Sequence, residues 1–596
     1  MKVALRQLRS LIPYLPRTAK GYIRRYVIIS SLLSLLDIAA LMLLALSLSS
    51  MMSGADVNIP VVGTVTPDQY IWLLLSVSFL ILLKSSLSLL QNWLATRRFA
   101  EFELTLGLHL FDAYIRAPWV DRLSRTTSQL VRMVDVGVSA VISGLTLPLI
   151  QLPAIIVSAV AVLGTLLIVQ PLTAIISMVY LGLIALIMSK VLTSRSLQAG
   201  QVNRRYSYKV ASLMTDMVGA LKEVTLRDKL GEVAEVVKEN RSHAARARSN
   251  IQFLASVPKF VMDTALIGGF LLVGVVSYLI EGSLSEAISA IVLFAVAGMR
   301  LVPGLTAFQS TTNQLNASRS QVTYVLKDIE QAQDYIAAAQ EIGKEPLLQE
   351  PEELILDGVT FTYPTGNEPA VSDVSITIKM GTSVGIVGES GSGKSTLVDI
   401  ILGLLVPQEG QIRIDSQNID DVMAAWRSRV GYVPQDVSLF DGTIAQNVAL
   451  SWKEGIDKDK VIDCLKRAQL WDVIQQRPQG LNTRVGERGM SFSGGQRQRL
   501  GIARALYSDP YVLILDEATS ALDTKTEAEV AKAIASLRGE VTIIAVAHRL
   551  STVRDSDELF YMESGFVLAR GTFDEVTAEV PKFLEQARLA GLVADA

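Results

Sequence analysis

The sequence predicts an α-helical membrane domain of six spans followed by an α/β domain built around a phosphate-binding loop. Three observations carry this prediction. Long apolar runs fill residues 1–310, charge rises sharply beyond residue 350, and a strand, a glycine-rich turn and a helix follow one another at 384–405. A chain of 596 residues exceeds one ordinary core, so two large units are expected. Apolar residues make up 50% and charged residues 19%, with a mean hydropathy of +0.37, an average that conceals the split. The net charge of −3, with no basic stripe beyond the membrane flanks, argues against a nucleic-acid partner. Cys464 is the single cysteine, which excludes an intramolecular disulfide framework and a cysteine-based zinc site and reads as a helix core residue.

The first 25 residues are basic and lead into an apolar run too long for a signal-peptide core, with no small-residue cleavage site. They read as a cytoplasmic flank. A spanning helix needs about 20 mostly apolar residues. Six stretches qualify, at 26–52, 69–95, 136–168, 171–193, 251–280 and 284–308, within a membrane domain set at 1–325. Gln170-Pro171 and Glu281-Gly282-Ser283 are the tight turns that join the third span to the fourth and the fifth to the sixth. With the N-terminus inside, the outer loops at 53–68, 169–171 and 281–284 hold no Lys or Arg. The inner segments hold Arg97, Arg98, Arg116, Arg122, Arg125, Lys190, Arg195, Arg204, Arg205, Lys222 and Arg227. That asymmetry predicts a cytoplasmic C-terminal domain and a cytoplasmic-membrane location. The two long inner loops keep a helical pattern. Their reversals near Pro118-Trp119 and Met217–Glu223 are candidates for short transverse helices resting on the C-terminal domain. The charged stretch 326–352 reads as a linker.

Ionisable groups inside spans are costly and mark function. Asp37, Lys84, Lys259, Asp263 and Arg300 are such groups. Lys84 and Arg300 lie about 21–24 Å from the outer helix ends, at 1.5 Å per residue. Lys84, Lys259 and Arg300 around one cavity would suit an anionic headgroup such as a diphosphate. Internal pairing is the competing reading, with Lys259 and Asp263 at helical spacing and Asp37 available to Lys84 or Arg300. Pro258 and Pro303 are candidate kinks beside these cations.

In the second half, residues 353–363 alternate as a strand and end in Tyr363, placed to stack on an adenine. The run VGIVGESGSGKSTLVDIILGLL contains Gly388, Glu389, Ser390, Gly391, Ser392, Gly393, Lys394, Ser395 and Thr396. Its glycines let backbone N–H groups wrap phosphates, Lys394 reaches the β- and γ-phosphates, and Ser395 ligates Mg²⁺. The strand YVLILDE ends in Asp516, positioned for the Mg²⁺ shell, and Glu517, the candidate general base for an attacking water.

Ser493-Gly494-Gly495-Gln496, preceded by Phe492, resembles the signature motif of the ABC transporters. Gln435 in GYVPQD resembles their Q-loop, Ser520–Asp523 their D-loop and His548 in AVAHRLS their switch histidine. Residues Thr483–Gly489 are similar to the stretch that exporter cassettes use to touch the membrane domain. The one departure is Phe492 in place of the usual Leu, read as a packing residue. This resemblance, which covers the chain, implies a type IV exporter fold and ATP hydrolysis with Glu517, His548 and Gln435 as catalytic residues. Gln435 joins Ser395 and Asp516 around Mg²⁺. It also implies a homodimer in which Ser493, Gly494, Gly495 and Gln496 complete the partner's ATP site. The stretches 255–270 and 296–305 resemble the fifth and sixth helices of the PglK-type lipid-linked oligosaccharide flippases. The resemblance implies that Lys84, Lys259 and Arg300 engage a polyprenyl-diphosphate glycan in the membrane lipid, and Asp37 matches an acidic position of that type. Lipid A, phospholipid or multidrug export on the same architecture is the alternative. A non-transporting ABC ATPase conflicts with six spans, and a peptide exporter would need a cysteine-protease domain that the lone Cys464 does not supply.

Overall fold

The computed structural model describes residues 2–53, 57–59, 63–65, 70–123, 127–486, 489–518, 524–547 and 549–593. They form two compact units, residues 1–117 with 123–336, and residues 118–122 with 337–596. Thus His548 and Ser520–Asp523, together with Arg125, Glu487 and Arg488, lie outside the described residues.

The first unit is helical. Helix Lys2–Leu11 precedes Ala19–Ser53, Tyr70–Arg116, a third helix over 127–169, Pro171–Gly219, Leu230–Glu281 and Leu284–Glu341. The strands β1 (Val57–Ile59) and β2 (Gly63–Val65) pair antiparallel between the first two long helices. Gln170 takes an extended conformation between the third and fourth helices, and Gly282, at φ 70°, turns the fifth into the sixth. Five helices among the described residues are long and apolar enough to cross a membrane. The first expected span lies in Ala19–Ser53, where Asp37 is among the residues whose side chains are outside the described set.

The two expected inner loops are helical extensions with short cross-pieces, Trp119–Leu123 and Leu221–Leu226. At 58 residues the last helix runs about 87 Å, nearly three times a hydrocarbon core. Burial divides along these helices. In the apolar spans Leu75, Phe79, Leu82, Leu90 and Trp93 stand exposed, whereas Phe99, Phe102, Leu106, Leu110, Val322, Val325 and Ile329 bury one another. Lipid leaves apolar groups uncovered at no cost, while water below the membrane drives them together.

Helix Leu284–Glu341 continues through much of the stretch expected as linker. There Leu326, Ile329, Ala332 and Tyr335 recur at helical spacing and are buried. Beyond it the chain is pinned to the second unit, where Asp415 Oδ1 accepts from the Glu352 and Glu353 N–H groups and Asp421 O accepts from Glu345 N. Pro258 and Pro303 sit inside unbroken helices.

The second unit contains two sheets. Strands β3 (Glu353–Phe361), β4 (Val371–Lys379), β6 (Glu409–Ile414) and β7 (Gln417–Asn418) form an antiparallel sheet in the order β4-β3-β6-β7. Strands β5 (Ser383–Gly388), β8 (Val430–Val433), β9 (Val512–Asp516), β10 (Thr542–Val546), β11 (Glu558–Glu563) and β12 (Phe566–Gly571) run in the order β12-β11-β5-β10-β9-β8. All are parallel except β12. The parallel strands are near-continuous apolar runs because helices cover both faces. Trp119 and Val120 pack on the core that contains Leu397, Ile400 and Trp426, so the first cross-piece belongs to this unit by contact.

Cys464 is buried and its thiol is pushed up to about 11, mainly by burial. Phe492 is buried in the core with Val485, Leu500 and Leu439, and the Arg477 guanidinium lies 4.1 Å over its ring. The Leu-to-Phe departure is therefore filled by packing. Phe492→Ala is expected to cost about 3–5 kcal/mol and Phe492→Leu under about 1.5 kcal/mol, read by chemical denaturation of the purified protein.

Candidate functional site

The site gathers at the C-terminal ends of the parallel strands β5, β8 and β9, where doubly wound sheets hold ligands. Strand β5 ends in Gly388, residues 389–393 turn, and helix Lys394–Ile401 begins. Three glycines make the turn possible, with φ of 150° at Gly388, 83° at Gly391 and 101° at Gly393. A Cβ on Gly388 would lie 2.1 Å from Met562 O and one on Gly393 2.2 Å from Ala370 O. Only glycine lets this backbone close so tightly.

Lys394 is 5% exposed and its ammonium donates to the carbonyls of Gly388 and Glu389 at 2.8 and 2.7 Å. Burial holds its pKa below the usual lysine value, with Glu517 and then Asp516 pulling it back up. Ser392 Oγ is buried without a hydrogen-bond partner. A tight glycine loop at a helix N-terminus, an orphan hydroxyl and a desolvated ammonium fit a nucleotide's phosphates. Tyr363 stands beside this helix, its hydroxyl 3.3 Å from Thr396 Oγ1 and its ring edge-on to Phe361 at 5.0 Å.

Strand β9 delivers Asp516 and Glu517. Glu517 sits at φ 50°, a left-handed conformation that costs a side-chain-bearing residue about 1–2 kcal/mol. Its N–H donates to Val546 O, tying the bend to β10. Gln435, just beyond β8, donates from Nε2 to Glu517 Oε2 at 2.8 Å. Tyr432 on β8 donates its hydroxyl to Asp516 Oδ2 at 3.1 Å. The parallel register sets this up: Tyr432 is level with Ile514, so Asp516 is the next residue along on that face.

Ser395 is exposed at the start of its helix, and Asp516 is half-buried at the end of β9. A hydroxyl, a carboxylate and phosphate oxygens are the hard ligands that Mg²⁺ takes, so these residues fit the ion. Gln435, also expected at the ion, has an amide hydrogen engaged by Glu517.

The signature residues form a separate feature. Ser493 caps helix Gly494–Leu506, its Oγ accepting from Gln496 N while Gln496 Oε1 accepts from Ser493 N. Among the described residues, Ser493–Gln496 make no hydrogen bond to residues 388–396. The same helix is fastened to the Q-loop, because buried Gln498 donates to Pro434 O at 3.1 Å. In the related stretch at 483–489, Val485 is fully buried and donates its N–H to Gly442 O.

In the membrane helices, Lys84 and Arg300 are half-buried and each has an interaction partner, while Lys259 and Asp263 are exposed. No ion pair joins Lys259 to Asp263 among the described residues. Gly269 faces Phe294, Gly298 faces Leu266 and Gly274 faces Ile291. This antiparallel register sets Arg300 level with residues 263–265, and Lys259 about 7–8 Å farther along the fifth helix toward its start.

Sequence reasoning missed Tyr432 and Asp399. Asp399 lies four residues after Ser395, on the same face of that helix. Its carboxyl is pushed up to about 6, chiefly by burial. A hydrogen bond from the Trp119 side chain pulls it back, and the Asp516 charge adds to the rise. The available signal was an aromatic beside the Q-loop and an acid one turn into an apolar helix.

The family described as ABC transporter transmembrane region matches residues 27–301, and that described as ABC transporter matches 371–520. An ATP-dependent lipid A-core flippase of Cupriavidus pinatubonensis is 32% identical, over 80% of either chain. The protein of that name from Salmonella typhimurium is 37% identical over 48% of each chain. A sophorolipid transporter of Starmerella bombicola is 42% identical over 37% of this chain and 18% of its own. A solved bacterial Atm1-family ABC exporter with ATP bound superposes at a TM-score of 0.75, with 23% identity, over 97% of this chain and all of that one.

Proposed function

As the chain belongs to the ABC transporters, multi-pass membrane proteins that couple ATP hydrolysis to transport, we propose that it is a homodimeric flippase. Its cargo is an anionic lipid-linked glycan, with polyprenyl-diphosphate-linked oligosaccharide the leading candidate, moved from the cytoplasmic to the outer leaflet of a bacterial cytoplasmic membrane. The observation that carries the cargo reading is the cation set Lys84, Lys259 and Arg300 at depth in three membrane helices. Arg300 offers a fork to a diphosphate, and the two lysines add point charge. The relatives' names, which specify lipid A-core and sophorolipid, support a lipid cargo and favour lipid A or a phospholipid as the second reading.

Two copies are needed for chemistry. The Ser493 cap and the N–H groups of Gly494 and Gly495 are open at a helix N-terminus and make no bond to their own phosphate loop, which supports their use by a partner's γ-phosphate. Leu221 and Leu226, 51% and 78% exposed on the second cross-piece, support the same arrangement as surfaces awaiting the other copy.

At the site, Lys394 would turn from the loop carbonyls to the β- and γ-phosphates, and Ser395, Asp516 and Gln435 would hold Mg²⁺. The ion, when bound, neutralises charge that builds on the phosphoryl oxygens. Gln435 would meet the ion through its amide oxygen while its Nε2 donates to Glu517, and Glu517 is placed to accept a proton from the attacking water. His548 and Ser520–Asp523 complete the dimer site in this reading. ATP favours the closed dimer by its differential affinity, and hydrolysis removes that bias.

The test is Lys84→Gln with Lys259→Gln and Arg300→Gln in proteoliposomes. Losing charge-assisted contacts of about 1.5–3 kcal/mol each predicts at least a tenfold fall in glycolipid flipping. Unchanged flipping sinks the cargo reading. ATPase stimulation by lipid-linked glycan, by lipid A-core or by hydrophobic cations separates the leading cargo from the lipid A and multidrug alternatives.

A further inference from the structure

The helix Gly494–Leu506, with the Ser493 cap at its start, is fastened at two points to the stretch around and after Gln435. Near its start, buried Gln498 donates to the carbonyl of Pro434, the residue before Gln435. Near its end, the Arg504 guanidinium commits its whole fork to the same stretch. Nε donates to Asn447 O at 2.9 Å, Nη2 to Asn447 Oδ1 at 3.0 Å and Nη1 to Ser438 O at 2.9 Å. Asn447 is fully buried and its amide is satisfied on every side. Nδ2 donates to Phe440 O and Thr443 O at 3.0 and 3.1 Å, and Oδ1 accepts from Phe440 N as well as from Arg504. Residues 483–485 are bonded to this stretch in turn, Thr483 O accepting from Ile444 N and Val485 N donating to Gly442 O. Among the described residues, none of these bonds reaches the phosphate loop at 388–396.

We propose that Arg504 and Asn447 are positioning residues for ATP hydrolysis, which lock the signature helix to residues 434–447 so that Ser493 and Gln435 move as one body. Gln435 donates to Glu517 of its own chain, whereas Ser493 serves the partner's γ-phosphate in the homodimer reading, on which this inference rests. The fastening therefore sets where one chain offers Ser493 by where its own Gln435 stands. A guanidinium fork fixes angle as well as position, while an ammonium on the same stem fixes position alone. A helix tip held only in position swings about its axis, and groups that meet a γ-phosphate lose rate when displaced by about half an ångström. The fully bonded Asn447 amide gives the fork a rigid seat, because a network with every member satisfied resists deformation. Nucleotide binding to the chain's own phosphate loop needs none of these bonds. Arg504 and Asn447 act on closure and turnover, and their role is independent of the cargo.

The test uses the full chain in lipid nanodiscs with Arg504→Lys, which keeps the charge and stem and cannot form the fork. Metal-free binding of a fluorescent ATP analogue should stay within about twofold, at unchanged stoichiometry, because the phosphate loop is untouched. The kcat for ATP hydrolysis should fall about tenfold, the low end for a hydrogen bond made by a charged group. Closure is read in a Glu517→Gln background from the distance between spin labels on Asp472→Cys of the two copies, since Asp472 is exposed and the native Cys464 is buried. The ATP concentration for half-closure should rise about tenfold with Arg504→Lys. Gln498→Leu cuts the other fastening, should give the same split with a kcat fall of about two- to fivefold, and replaces Arg504→Lys if that variant does not fold. Unchanged kcat and closure in a parent that does close overturn the proposal alone. A parent that never closes with ATP overturns the homodimer reading and the proposal with it. Binding stoichiometry that falls in step with kcat would mean that Arg504 only maintains the fold, which also overturns the proposal.

Discussion

Glu517→Gln is expected to lower kcat for ATP hydrolysis by about 10²- to 10⁴-fold while leaving ATP affinity within a few-fold. Its carboxylate accepts from Gln435 Nε2 at 2.8 Å and its backbone N–H donates to Val546 O. Glutamine keeps the shape and an acceptor oxygen for Gln435, and loses only the basicity. The effect should therefore fall on turnover, and an ATP-loaded closed dimer should accumulate. Steady-state hydrolysis and equilibrium nucleotide binding on one preparation separate the two. Hydrolysis retained within tenfold would mean that another group takes the proton.

Gly393→Ala is the second large effect. The new methyl would stand 2.2 Å from Ala370 O, and the backbone at φ 101° is one that alanine avoids. Neither a carbonyl in the β3–β4 connection nor the first turn of the phosphate helix can yield without disturbing the cradle. Nucleotide affinity should fall at least thirtyfold, about 2 kcal/mol, with a comparable loss of domain stability. Gly391→Ala is the control. Gly391 also has positive φ, at 83°, but a Cβ there meets nothing within 4 Å, so only backbone strain of about 1 kcal/mol is expected. Fluorescent-nucleotide binding and thermal unfolding of both variants check the contrast. Equal losses would show that φ alone matters and that the close approach does not.

The phosphate loop, Asp516 and Glu517 were legible in the sequence because their chemistry demands fixed residue types at fixed spacing along one strand, turn and helix. The helical hairpins were legible because Gln170-Pro171 and Gly282 punctuate otherwise unbroken apolar runs. The Tyr432–Asp516 bond was not, since it depends on the parallel register of β8 against β9, which joins residues 84 positions apart. The attachment of Trp119 was legible only as a position, a reversal near Pro118, because the core it packs on comes from another part of the chain. The stretch 326–352 shows a different failure. Its charged and Gln-rich composition describes the solvated face, whereas Ile329, Ala332 and Tyr335 on the other face continue the helix to Glu341. Lys84, Lys259 and Arg300 were visible as costly residues in apolar runs. The relative levels of Lys259 and Arg300 came only from the glycine contacts between the fifth and sixth helices.

The most direct measurement is leaflet transfer in sealed proteoliposomes. The purified chain is reconstituted with a fluorescent polyprenyl-diphosphate-linked oligosaccharide, and a membrane-impermeant quencher reports its leaflet. Transfer should require ATP, stop in Glu517→Gln, and fall at least tenfold when Lys84, Lys259 and Arg300 are neutralised. A labelled lipid that carries the same glycan on a neutral linkage should move poorly. ATP-dependent transfer that ignores the diphosphate and the three cations would contradict the account.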